Sequence, residues 1–146
     1  MIKDIYPYSQ IGEHQLFAFT SEGINGNIFK LIAFTPTDDG KWNLGFGDWK
    51  NNGNVDDRVM TNNHDVVKVI GTVAKVTYDF FKKYPKAVVV IDPVDEKRKR
   101  LYNFVFQRHY AFISNDFHII AKIDGVKEVY SPTEIYDRFE LFLKSK

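Results

Sequence analysis

The sequence contains no cysteine, and this absence excludes several kinds of site at once. Without thiols the chain can form neither disulfides nor thiolate zinc sites, and it has no cysteine nucleophile. No apolar stretch approaches the ~20 residues that cross a bilayer, and residues 1–7 do not resemble a signal peptide. We therefore expect a cytoplasmic protein that makes no use of a membrane.

The chain also lacks an excess of charge of one sign. Twenty Lys and Arg residues stand against 19 Asp and Glu, so any electrostatic function requires local segregation of charge. The 146 residues match the length of one compact domain, and neither a repeat nor an interdomain linker interrupts them. We predict a single domain over residues 1–146.

Aromatic residues, in contrast, are abundant, at 16% of the chain. Large rings fill the core of a small domain efficiently, and exposed rings also provide surfaces on which bases or other rings stack. The excess therefore fits a tightly packed core as well as a binding face, and the core is the commoner use.

Hydrophobic periodicity divides the chain into short strands and two helices. Apolar runs predict strands at 14–20, 28–35, 42–46, 87–91, 117–123 and 126–130. Helical spacing predicts helices over 66–84 and 95–113, the second with Asp95 as a candidate N-cap. These elements predict an α+β fold: an antiparallel β-sheet of about five or more strands with two α-helices packed on one face.

Three details refine this prediction. The apolar run Val88–Ile91 lies between prolines and is typical of a strand near the middle of a sheet. Asn62 is a candidate cap of the first helix, which puts Asp65 at the third helical position. Residues 132–145 stay undecided, because they combine a capping sequence typical of a helix with the alternating apolar residues of a strand.

The strongest local charge pattern is a run of four cations at 97–100, at the start of the second predicted helix. At 100° per residue, Lys97, Arg100, Phe104 and Arg108 share one face. Cations flanking a ring suit single-stranded nucleic acid, because the cations bind phosphates while the ring stacks on a base. The macrodipole opposes cations at a helix start, a cost that a bound anion would relieve.

Our first hypothesis is therefore a non-enzymatic nucleic-acid-binding module. Its phosphate-binding residues would be Lys97, Arg98, Arg100 and Arg108, with Tyr102 or Phe104 available for stacking. The competing interpretation is an ordinary solvated helix face. A second hypothesis, from another class, is a protein-interaction or regulatory domain whose aromatic surface meets a protein partner or a second copy.

An acidic and amide-rich region precedes the first predicted helix. Asp48, Asp56 and Asp57 are weak candidates for holding Mg²⁺ in a small metal-dependent hydrolase, our third hypothesis. Such residues more often serve as turn and cap residues, and their spacing matches no metal motif. The four histidines share no ligand spacing, and no nucleophile elbow or phosphate loop is present. We expect no cofactor.

Short segments spread over nearly the whole chain resemble a known family. They are Asn43-Leu44-Gly45-Phe46-Gly47-Asp48, Asp56-Asp57, Thr61-Asn62-Asn63, Asp65, Lys68-Val69, Thr72-Val73, Arg98, Arg100-Leu101-Tyr102 and Tyr136-Asp137-Arg138-Phe139. In this order they resemble a small family of uncharacterised bacterial single-domain proteins. The resemblance implies a cytoplasmic protein whose last element is a strand, and it implies no function.

Overall fold

A computed structural model describes residues 4–11, 15–49, 55–56 and 65–144. The chain divides into two compact units, each formed by two segments. The first unit contains Met1–Thr35 and Leu44–Lys83, and the second contains Pro36–Asn43 and Tyr84–Lys146. The expectation of a single domain stays a prediction.

Strands of the first unit pair largely as hairpins. In chain order its elements are β1 (Tyr8–Gln10), β2 (Leu16–Gly23), β3 (Gly26–Pro36), β4 (Trp42–Trp49), β5 (Val55–Asp56) and helix α1 (Val66–Lys83). β2 pairs antiparallel with both β1 and β3, and β4 pairs antiparallel with β5. The β2–β3 turn places Gly26 at φ 84°, a conformation that glycine adopts without strain. The last residue of β3 and the first two residues of β4 belong to the second unit.

Helix α1 supplies the apolar core of the first unit. Its residues Val76, Phe80 and Phe81 are buried, and the Phe80 ring stacks on Phe34 of β3 at 4.2 Å between ring centroids. The helical spacing of the sequence therefore predicted this element well. The helix begins at Val66 as predicted, but Asp65 does not occupy its third position: it immediately precedes the first helical residue, and its carbonyl accepts from the Val69 N–H. Asn62 lies outside the described residues.

The second unit contains the remaining elements and a sheet with one parallel pair. They are β6 (Val89–Ile91), α2 (Glu96–Arg108), α3 (Tyr110–Asp116), β7 (Phe117–Ile123), β8 (Val126–Val129) and β9 (Arg138–Leu143). Its strand order is β4-β6-β9-β7-β8, in which β4–β6 is parallel and the other pairs are antiparallel. β6 has a partner on each side, as its apolar sequence predicted. The predicted α+β class, with at least five strands and two helices, is confirmed.

The second predicted helix is two helices. Asp95 caps α2 as expected, since its carboxylate accepts from the Arg98 N–H at 2.8 Å. The helix ends at His109, whose φ of −111° and ψ of 21° leave the helical region, and α3 begins one residue later. Because neither proline nor glycine marks this break, the hydrophobic periodicity predicted one continuous helix.

Residues 138–143 form a strand, as the family resemblance implied. β9 lies between β6 and β7, and it buries Phe139 and Leu141 on the side of the sheet that meets α2. Phe106 of α2 stacks on Phe139 at 4.2 Å between ring centroids. Two sheet neighbours and this contact outweigh the capping sequence at 131–134, which forms turns instead.

Candidate nucleic-acid interface

Helix α2 carries all six residues that the sequence assigned to nucleic-acid binding. Because Asp95 fixes the start of the helix, the faces follow from 100° per residue. Phe106 and Asn103 are buried and mark the inner face. Lys97, Arg100, Phe104 and Arg108 are exposed and lie on the outer face, and we call them the cation–ring stripe.

The cation–ring stripe is open to solvent. Phe104 has 52% of its surface exposed, a high fraction for a ring of this size. None of Lys97, Arg100 and Arg108 forms an ion pair within the described part of the chain. The stripe therefore presents three cations that have no ion-pair partner in the described segments, beside one accessible ring.

Arg98 does not belong to this surface. It is 3% exposed, and its guanidinium contacts Asp95 at 3.4 Å between Nη1 and Oδ2. Its Nε and Nη2 atoms are buried and have no hydrogen-bond partner among the residues that the structure describes. The sequence placed Arg98 among the phosphate ligands because it lies within the run of four cations, but the helix turns it inward. We therefore correct that assignment.

Two neighbouring residues further define the stripe. Lys99 is paired with Asp137, at 2.7 Å between Nζ and Oδ1, and this hydrogen bond raises the pKa of Lys99. Tyr102 is half-buried and contacts other residues of the chain, so Phe104 is the more accessible ring. Of the six residues that the sequence singled out, four remain as a surface that a ligand can reach.

The segment 131–137 lies along α2 and was not foreseen from the sequence. Asn103 is hydrogen-bonded to the backbone of Tyr136, and Gln107 donates to the Glu134 carbonyl at 3.5 Å. Ile135, between these contacts, is 53% exposed. The signal in the sequence that could have indicated this contact is Asn103, a polar residue at a helix position that the hydrophobic periodicity places on the inner face.

The acidic candidates are not gathered around a metal site in the described residues. Asp48 is buried and forms an ion pair with Lys30, so its charge is already compensated. Asp56 lies opposite Asp48 in the β4–β5 register, and Asp57 lies outside the described residues. In the described segments, no three His, Asp or Glu side chains are grouped so that they could hold a metal ion.

Asp65 has a structural role in the first unit. Its carboxylate accepts from the Tyr6 hydroxyl and from the Ser21 hydroxyl, each at 2.5 Å, while the Tyr6 backbone N–H donates to Thr72 at 2.8 Å. These bonds hold the segment before β1 against the start of α1. The Asp65 carboxylate therefore makes tertiary contacts, which the interpretation of this acidic region as turn and cap residues did not include.

Of the four histidines, His14 and His64 lie outside the described residues. His109 ends α2, and burial, together with the adjacent Arg108, lowers its pKa. It is therefore a poor phosphate ligand near neutral pH, because its neutral form is favoured. None of the three helices in the described segments is long and apolar enough to span a membrane.

Comparison with known proteins agrees with the resemblance noted in the sequence. Neither the curated proteins nor the solved structures give a significant match to this chain. One family model, described as a family of unknown function (DUF6934), matches residues 3–144, which is nearly the whole length. The chain therefore belongs to the DUF6934 family, whose function is unknown.

Proposed function

We propose that this protein is a non-enzymatic module that binds single-stranded nucleic acid through the cation–ring stripe of α2. One observation carries the proposal: Phe104 is 52% exposed between Arg100 and Arg108, and neither arginine has an ion-pair partner among the described residues. A stacking platform with flanking cations is the arrangement that binds strands without regard to sequence.

The dimensions of the stripe suit a short stretch of strand. Lys97 and Arg108 are eleven positions apart on α2, which corresponds to ~16 Å at 1.5 Å per residue. Phe104 lies between them, so a base stacked on the ring places its flanking phosphates towards the cations. A base-paired duplex offers no free base face to this ring, and we therefore expect preference for unpaired strands.

Binding should be electrostatic and local, since the whole chain carries a formal charge of only +1. Three phosphate contacts predict that log affinity falls against log salt with a slope of about −2 for a single strand. The charge reversal Arg100→Glu with Arg108→Glu should abolish binding, because both cations become repulsive.

The deciding experiment measures fluorescence anisotropy of a labelled oligo-dT strand at several salt concentrations. The matched control is Lys86→Glu, which reverses another exposed cation of the second unit outside the stripe. Absence of binding at low salt, or equal affinity of the double variant and the control, would overturn the proposal.

A protein-interaction surface is the second candidate, favoured by the exposed apolar residues of the same region. Phe104 and Ile135 are 52% and 53% exposed, one on α2 and one on the segment hydrogen-bonded to it. Self-association through this region would appear in light scattering as a mass that rises with concentration, and Ile135→Ser should reduce it. A mass that stays that of the monomer at every concentration would contradict self-association.

We also propose a cytoplasmic location, which the absence of cysteine favours. Fractionation of cells that produce the full chain would test it.

A further inference from the structure

A row of three cations crosses the sheet of the second unit. In the register of the sheet, Lys122 of β7 lies directly opposite Lys127 of β8 and directly opposite Arg138 of β9. Side chains opposite each other on neighbouring strands share one face of the sheet. Lys127, Lys122 and Arg138, which we call the cation row, therefore lie side by side.

The cation row is on the side of the sheet opposite α2. Phe139, the residue after Arg138, stacks on Phe106 of α2, and successive residues of a strand point to opposite faces. Lys127 has 48% of its side chain exposed and Arg138 has 27% exposed. A ligand can therefore reach these cations from solvent.

Glu140 organises the cations without neutralising them. Its side chain is 5% exposed, and it contacts Lys41 at 3.0 Å, Lys127 at 3.2 Å and Arg138 at 3.4 Å. Among the described residues, Asp39 lies 3.7 Å from Lys41 and Asp92 lies 4.0 Å from Arg138. Both are more than half exposed, so solvent screens their charge. A further carboxylate, Asp137, is paired with Lys99 and also interacts with the charge of Lys122.

Repulsion between neighbouring cations in such a row destabilises the sheet unless an opposite charge offsets it. Like charges directly opposite each other destabilise a sheet, and here two such pairs share Lys122. Three cations, Lys41, Lys127 and Arg138, contact the single buried carboxylate of Glu140. Within the part of the chain that the structure describes, the buried Nε atom of Arg138 also has no hydrogen-bond acceptor.

We propose that the cation row and Lys41 form an anion site for a phosphate group, with Glu140 as the positioning residue that holds Lys41, Lys127 and Arg138 in place. The site is separate from the cation–ring stripe and does not depend on its function. The phosphate can belong to a free phosphorylated small molecule or to the backbone of a nucleic acid. Both sources share the same chemistry, and the experiment distinguishes them.

The test uses the full chain with pyrophosphate as the probe, in isothermal titration at constant ionic strength. Lys122→Gln keeps the length and polarity of the side chain while removing the central charge of the row. We expect it to weaken pyrophosphate binding about tenfold, the effect of losing one charged contact. Lys86→Gln is the matched control, and it should bind pyrophosphate as the unmodified chain does.

Three outcomes decide the matter. Pyrophosphate binding that Lys122→Gln weakens supports a free phosphorylated ligand. Failure of pyrophosphate to bind, together with weaker oligo-dT binding by Lys122→Gln than by Lys86→Gln, supports a backbone phosphate. Equal behaviour of the two variants with both probes overturns the proposal. Arg100→Glu with Arg108→Glu should leave pyrophosphate binding intact, so failure of the α2 proposal is seen separately.

Discussion

Asn103 of α2 and Tyr136 of the segment before β9 exchange two hydrogen bonds. The Asn103 Nδ2 donates to the Tyr136 carbonyl at 2.8 Å, and the Tyr136 N–H donates to the Asn103 Oδ1 at 2.8 Å. Both residues are almost completely buried. The Asn103 side-chain amide thus pairs with the backbone of Tyr136 in the way that a neighbouring strand would. It holds α2, with its exposed stripe, against the segment that leads into β9.

Asn103→Asp should lower the free energy of unfolding by about 2–4 kcal/mol, because the change removes the donor to Tyr136 and buries a charge. Urea unfolding at neutral pH would measure the effect. Asn115→Asp is the control, since Asn115 is exposed and should tolerate the change within about 0.5 kcal/mol. Similar losses in both variants would show that the paired amide contributes little.

Arg98→Met should raise the free energy of unfolding by about 1 kcal/mol. Arg98 is 3% exposed, and two of its guanidinium nitrogens are buried with no hydrogen-bond partner in the described segments. Methionine fills a similar space and removes the cost of burying those donors. Arg98→Ala should instead destabilise the protein, because it leaves a cavity. A clear loss of stability in Arg98→Met, measured by thermal unfolding, would show instead that the buried guanidinium stabilises the fold.

Glu140 should make stability depend on acid pH. Burial by itself would raise the pKa of Glu140, but hydrogen bonds from Lys41 and Lys127 outweigh burial and lower it. A depressed pKa in the folded state contributes stability above the unfolded value of ~4.3 and loses it as the pH falls through the folded value. Glu140→Gln should therefore lower stability at pH 7 and flatten its decline below about pH 5.

The control for Glu140 is Glu134→Gln, which changes an exposed carboxylate. It should leave the dependence of stability on pH as in the unmodified chain. Urea unfolding from pH 7 to pH 3 would compare the three proteins, and parallel curves for all of them would contradict this role of Glu140.

Phe104→Ala should weaken the binding of a single strand by about 1–3 kcal/mol, the contribution of one stacked base. Phe104→Trp should retain the affinity, because the larger ring also stacks. Since Phe104 is 52% exposed, neither variant should change the thermal midpoint by much. Anisotropy and thermal unfolding on the same samples separate a loss of stacking from a loss of folding. Full affinity in Phe104→Ala would show that the ring does not stack.

Much of the candidate interface followed from local sequence. The Asp95 cap sets the first residue of α2, and helical geometry then places Lys97, Arg100, Phe104 and Arg108 together. Arg98 was misassigned because it belongs to the run of four cations at 97–100. The charge pattern gave no sign that this one cation of the run lies on the buried side of the helix.

The sequence by itself determined the α+β class, the approximate extents of α1 and β7, the cap at Asp95 and the members of the exposed stripe. It could do so because these features depend on interactions between residues a few positions apart. Tertiary structure decided that residues 138–143 form a strand, that Arg98 is buried and that Lys122 lies between Lys127 and Arg138. The physical reason is that strand pairing and burial depend on partners remote along the chain. The ladder from β6 through β9 to β7 outweighed the helix-capping sequence, and no local pattern specifies that register.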